Sequence, residues 1–293
     1  MENHNQIGET RRIVSTWLLI AFLASIFGCQ RIAERFDRRE TNTESIASPN
    51  VSATLPIEGL RYGNPSNATS DPSNKDNYLL VRDSVVLSYN NSRGTANWVA
   101  WTTTREDLGD SIPRSLFQPD DNLPAGFKRI AYYDYSGSGY DRGHMLPSAD
   151  RFGNRKLNKE TFLMTNIVPQ TGDLNQFPWE QLESYSRLLA RSGNTIYTIA
   201  GDYGENGRLR GKVTVPTNCW KIIAVLPRGR DKIDTTTRII AVDMPNIDGI
   251  KNTTWQKYRT TVRAIEQKTG YDLFSLLPRD VQDRLETAVD NKN

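Results

Sequence analysis

The chain has 293 residues, 37% of them hydrophobic, so it can bury one substantial core, and length alone allows one or two domains. Lys and Arg total 37 against 34 Asp and Glu, and this surplus of +3 is too small to mark a nucleic-acid binder by itself, so any phosphate affinity must come from local placement. With only two histidines and two cysteines, a zinc site ringed by His and Cys is out of reach, whereas a hard cation held by oxygens remains open.

Arg11 and Arg12 precede an apolar run from Trp17 to Phe27 that closes on Gly28 and Cys29, which is the anatomy of an export signal over residues 1–29. The run is short for a membrane span, which needs roughly 17 to 25 residues. Ile26-Phe27-Gly28-Cys29 resembles a bacterial lipoprotein signal, so three outcomes stand: a mature chain attached to a membrane through lipidated Cys29, plain secretion, or an uncleaved anchor. Thr10-Arg11-Arg12 leaves a twin-arginine route open beside the general one. In each case the remainder is exported, either secreted or held at the cell envelope. Cys219 then has no partner for an intrachain disulfide.

Residues 30–77 read as a flexible polar linker, because from Thr41 to Asn77 the chain is rich in Asn, Ser, Thr and Pro with little periodic apolar content. Residues 78–290 then form the folded domain. Strands are expected over Tyr78–Val81, Val85–Tyr89, Trp98–Thr103, Lys128–Tyr133, Phe162–Val168, Thr195–Ala200, Lys212–Leu226 and Arg238–Val242. Helices are expected over Trp179–Arg191 closed by Gly193, Thr254–Lys268 closed by Gly270, and Arg279–Val289 opened by Pro278. Without regular βαβ alternation, this grouping predicts an α+β domain: a mainly antiparallel central sheet flanked by helices. Trp220, Trp255 and Tyr258, at strand and helix spacing, read as core rather than as base-stacking platforms.

His4 lies in the signal, so His144 is the only imidazole of the exported part, and imidazole is the side chain whose ordinary pKa suits proton transfer near neutrality. It sits in Tyr140-Asp141-Arg142-Gly143-His144-Met145, after a Ser136-Gly137-Ser138-Gly139 hinge. Gly143 permits close backbone approach, and Asp141 and Arg142 add a carboxylate and a phosphate-binding cation within the same few residues. The competing reading is a structural histidine at a strand end. On the helix from Trp179, Leu182, Tyr185 and Leu189 share one face while Glu183 and Arg187 share another, either lining a cleft or forming an ordinary exposed i, i+4 ion pair.

Asp141-Arg142-Gly143-His144, followed by Pro147-Ser148-Ala149-Asp150-Arg151, Phe162-Leu163-Met164-Thr165-Asn166 and Pro169-Gln170-Thr171, resembles the DNA/RNA non-specific endonucleases of the ββα-metal superfamily. The likeness runs from about Trp98 to Tyr271 and includes Leu123-Pro124-Ala125-Gly126 and Lys212-Val213-Thr214-Val215-Pro216. The resemblance implies a Mg²⁺-dependent hydrolase, with Mn²⁺ as the alternative ion, that takes DNA and RNA as substrates. It further implies His144 as general base, Asn175 as the metal ligand, Glu183 as a carboxylate orienting water around the ion, Arg187 as a phosphate contact and Arg142 as a further catalytic cation, with Asp141 and Glu183 in support. A transition-state arginine is expected from upstream. Arg114 stands one position from the family register, so Arg105 remains open beside it, and Asp150 and Arg151 either buttress the loop or simply close a turn. Two other readings stand beside hydrolysis: a non-catalytic surface protein that captures nucleic acid, and a site-specific HNH-like endonuclease, which needs a base-reading module that is not visible here.

Overall fold

The computed structural model describes residues 57–292. In chain order its strands are β1 (Tyr78–Val81), β2 (Val86–Asn90), β3 (Thr95–Thr103), β4 (Asp141–His144), β5 (Ile167–Gln170), β6 (Thr195–Tyr203), β7 (Arg208–Leu209), β8 (Val213–Thr214), β9 (Asn218–Leu226), β10 (Arg238–Pro245) and β11 (Arg259–Thr260). Its helices are α1 (Arg155–Glu160), α2 (Gly172–Leu174), α3 (Glu180–Arg191), α4 (Val262–Thr269) and α5 (Arg279–Glu286), with a π-helical turn at Asn175–Trp179 joining α2 to α3.

Seven strands pair in the order β1-β2-β3-β6-β9-β10-β11, every pair antiparallel. The central strands read as nearly continuous apolar runs because both faces of the sheet are covered. On one face Val99 and Trp101 of β3, Ile196 and Ala200 of β6, and Ile223 and Val225 of β9 pack against Trp179 of the π-helical turn and Leu182 and Ala190 of α3. On the other, Trp98, Tyr197, Trp220, Ile222 and Ala224 meet Val262 and Ile265 of α4 and Val281 and Leu285 of α5. The result is three layers, helix, sheet and helices, as the α+β reading expected. β4 and β5 stand apart as a two-stranded ribbon that runs into α2 and α3, giving a ββα unit on the first face. Trp220 and Trp255 are core, as expected, and Tyr258 packs against it.

Several boundaries differ from expectation. The polar segment of residues 57–77 is no tether: Tyr62 and Ala68 are buried, and Ser66 accepts from Trp98 Nε1 at 2.8 Å. Asn64 and Asn77 satisfy this segment by side-chain to backbone bonds, so its Asn and Ser content serves turns rather than disorder. The expected strand at Lys128–Tyr133 is irregular backbone leading into a 3₁₀ turn at Tyr132–Tyr135, fixed by Asp134, which accepts from Ala131 N at 3.0 Å and from Lys212 Nζ at 2.9 Å. Met164–Asn166 is likewise a 3₁₀ turn, and the strand begins only at Ile167; the buried Asn166 amide bonds Leu146 on both sides and Thr161 O, tasks a ladder residue is not free to perform. Pro216 divides β8 from β9, since proline has no amide to give a ladder. The expected helix at Thr254–Lys268 breaks into a 3₁₀ turn at Trp255–Tyr258, the edge strand β11, and α4, which Thr261 caps by accepting from Ala264 N. The export signal and Cys29 lie outside the described residues.

Candidate active site

The ribbon presents Asp141-Arg142-Gly143-His144 along β4, with Gly143 opposite Val168 and His144 opposite Ile167. Gly143 is required by space: a Cβ there would lie 1.9 Å from the side-chain Oε1 of Gln170. The loop after β4 carries Pro147, Ser148 and Ala149 over the mouth of a cleft of about 400 Å³, whose other walls are Arg114, Arg142, His144, Asn175, Gln176, Glu180, Glu183 and Arg187. The structure therefore gathers His144, Arg114, Arg142, Asn175, Glu183 and Arg187 in one place. Arg105 lies elsewhere, beside Arg228 and Gly193, which leaves Arg114 as the upstream arginine at the cleft.

His144 stands between two rings, 5.4 Å from Phe117 and 5.0 Å from Phe162 by centroid, the latter edge to face. Part of the imidazole reaches the cleft, yet Nε2 is sealed from solvent and has no hydrogen-bond partner. Burial first, and the nearby Arg114 guanidinium second, push its pKa down to about 3, so the ring is neutral near pH 7. The main chain is held as well, because Trp179 Nε1 donates to His144 O at 3.3 Å.

Asn175 opens the π-helical turn. Its Nδ2 donates to Asp141 Oδ2 at 2.9 Å, and Gln176 Nε2 donates to the same oxygen at 2.8 Å. A carboxylate only accepts, so this contact fixes the amide with nitrogen toward Asp141 and leaves Oδ1 as the atom offered to a ligand. In a regular helix, eight steps from Asn175 to Glu183 turn about 800°, some 80° out of line. A turn closed by i→i+5 bonds absorbs one residue, leaving about 700°, within about 20° of alignment. The wide turn thereby brings Asn175 over the polar stripe of α3.

Glu183 and Arg187 do not form the i, i+4 pair that spacing alone allows. Glu183 Oε1 accepts from Lys221 Nζ at 2.9 Å, and Lys221, buried in β9, lies 4.0 Å over the Trp179 ring. Burial raises the Glu183 pKa, opposed by Lys221 and then Arg187. Arg187 donates to Asp150 Oδ1 at 3.3 Å, Glu180 Oε1 at 3.3 Å and Ser184 Oγ at 2.9 Å. Asp150 is a buttress: its second oxygen accepts from Trp101 Nε1 and Thr103 Oγ1, both on β3. Arg151 turns away to bond Ser84 O and Thr102 O and serves the fold.

Sequence reasoning missed Lys221, Glu180, and the Phe117 and Phe162 walls. Among the described residues no group of three or more His, Cys, Asp or Glu converges to hold a metal. The donor set instead offers one amide oxygen with carboxylates set back from it, which suits a cation that keeps most of its water, as Mg²⁺ does.

The family model described as DNA/RNA non-specific endonuclease matches residues 63–280. A nuclease of Nostoc sp. is 44% identical over 275 residues, covering 92% of this chain and 96% of the relative. A nuclease of Serratia marcescens is 30% identical, covering 79% of this chain and 85% of the relative, and human mitochondrial endonuclease G is 29% identical, covering 85% and 90%. A solved structure titled as the EndoG/EndoGI complex matches with a TM-score of 0.64 at 24% identity over 78% of this chain and 94% of that chain, which shows a common fold.

Proposed function

This chain belongs to the DNA/RNA non-specific endonuclease family and is a nucleic-acid hydrolase, and from that premise we propose that it cuts phosphodiester bonds of DNA and RNA without sequence preference, with His144 as general base and one Mg²⁺, or Mn²⁺, held by Asn175. The observation that carries this reading is the shared cleft: a neutral imidazole that reaches it, beside an amide whose oxygen Asp141 leaves free.

His144 takes the proton of the attacking water as the bond to phosphorus forms and the bond to the 3′ oxygen breaks. Arg114 and Arg142 supply positive charge to the phosphoryl oxygens; both lie at the cleft wall without an ion-pair partner among the described residues. Arg187, held by Asp150 and Glu180, adds fixed positive charge at the floor. Glu183, pinned by Lys221, accepts from water in the cleft and orients it. A bound divalent cation supplies charge neutralisation on the phosphate and the leaving oxygen. Recognition through phosphate fits a near-neutral chain with three arginines lining the cleft, and predicts cleavage that weakens with salt on every sequence alike. Export to the envelope or the exterior remains our reading of residues 1–29, with lipidated Cys29 as one form of it.

Plasmid nicking over a Mg²⁺ series, with an EDTA control, tests the assignment. His144→Ala lowers the rate by roughly 10² to 10⁴-fold with the fold retained. Asn175→Ala raises the Mg²⁺ concentration needed for half-maximal cleavage. A folded His144→Ala protein cutting at the wild-type rate overturns the mechanism, and cleavage surviving EDTA overturns the metal.

A further inference from the structure

A second cavity, of about 360 Å³, adjoins the cleft and shares Arg114 with it; its other walls are Pro113, Ser115, Leu116, Gln118, Arg155 and Lys159. Three of these seven walls are cationic and none is acidic. Arg155 and Lys159 stand four positions apart on α1, on one face of a six-residue helix, and neither has an ion-pair partner among the described residues. Their neighbour Lys156 is by contrast neutralised by Asp83 at 2.6 Å. Like charges at i, i+4 disfavour a helix, and a helix this short has little stability of its own, so the arrangement works against the fold unless an anion occupies the cavity. Arg114 is held at the junction with its guanidinium 5.4 Å from both the Phe117 and Phe162 rings. Leu116 stands 80% exposed on the same wall, an apolar contact set among cations.

We infer that this cavity is a strand-holding subsite for a polynucleotide: Arg155 and Lys159 take phosphates next along the chain from the one in the cleft, Leu116 meets a sugar or base edge, and Arg114 links the two sites. The inference rests on the nuclease reading for what happens in the cleft. The subsite contributes ground-state binding of long substrates and nothing to the bond-breaking step, so its loss appears in KM and in salt dependence, while kcat is preserved.

The full chain carrying R155A together with K159A tests this, with K156A as control; all three side chains are exposed, so folding is retained. The binding arm measures anisotropy of a labelled single strand of about 30 nucleotides in EDTA, free of catalysis. Two lost phosphate contacts on a single strand reduce the slope of log K against log salt by about 1.4, which over the decade from about 1 M to 0.1 M salt amounts to roughly 25-fold weaker binding at the lower salt. The kinetic arm predicts a raised KM on long single-stranded DNA, kcat within about twofold of wild type, and unchanged hydrolysis of bis(p-nitrophenyl) phosphate, a substrate too small to reach α1. Unchanged affinity and salt slope in the double variant overturn the subsite, as does an equal loss on the small phosphodiester or an equal effect of K156A. A wild-type chain whose binding depends on Arg155 and Lys159 but which cuts neither substrate keeps the subsite and sinks the catalytic reading instead.

Discussion

Replacing Lys221 by Met removes one half of a buried ion pair while keeping most of the apolar stem that packs under α3. Lys221 is 2% exposed and its ammonium is held by Glu183 at 2.9 Å and by the Trp179 face at 4.0 Å. Breaking such a pair from one side leaves the other charge buried alone, a loss of about 3–5 kcal/mol. The loss depends on pH, and its sign follows from Glu183. Burial already raises that carboxyl above its ordinary 4.5 with Lys221 present, and removing Lys221 takes away the largest opposing influence. A carboxyl raised in the folded state favours folding most below its unfolded pKa, and that contribution is lost as pH rises through the folded value. The gap between wild type and K221M therefore widens from the wild type's own raised Glu183 pKa upward, by at most about 1.4 kcal/mol per unit, until the variant's still higher pKa is passed. Urea unfolding at about pH 5 and pH 8 measures it, with a small gap expected at the first and several kcal/mol at the second. The variant should also need higher pH for activity, because Glu183 stays protonated further up the scale. Equal destabilisation at both pH values would refute the buried-charge argument and reduce Lys221 to packing.

The His144 ring should show no titration between about pH 5 and 8 by NMR in the metal-free protein, since burial and Arg114 lower its pKa to about 3. With the folded pKa depressed, its contribution to stability is complete above the unfolded value near 6.5 and drains away as pH falls toward about 3, so H144A should flatten acid unfolding across that window. Gly143→Ala should cost about 1–3 kcal/mol in thermal unfolding, because its Cβ must displace the Gln170 side chain that it would meet at 1.9 Å, and should lower kcat by shifting β4; a variant of native stability and rate contradicts that geometry.

The parts of the site that lie together in sequence were the legible ones. Asp141 to His144 concentrate unlike chemistry in four residues, and Glu183 and Arg187 declare a polar face by helical period. Lys221 was hidden because a lysine between Trp220 and Ile222 looks like a solvent-facing residue of an alternating strand, and only the cover of α3 and the turn before it makes it interior. The ion pair at Glu183 needed tertiary distance in the same way, its partner lying 38 positions away. The sheet was visible where strands are buried on both sides, as in β6 and β10, and misread where a side chain supplies the backbone's hydrogen bonds, as Asp134 and Asn166 do. Composition misled at residues 57–77, since turn-forming and disordered segments draw on the same Asn, Ser and Pro.

The wide turn at Asn175–Trp179 also fixes how this helix can change in length. Removing one residue from the turn would relax it into ordinary α-helix with seven steps, about 700°, from Asn175 to Glu183, the register the wide turn already has, whereas inserting one would add about 100° and turn Asn175 away from Glu183. The loop between β9 and β10, which runs from Pro227 to Thr237 with exposed residues at Arg228–Lys232, can absorb the same insertion or deletion as a change of surface outline. The extra residue in the turn is thus absorbed without loss of register, whereas natural variation that added another would separate the two halves of the site.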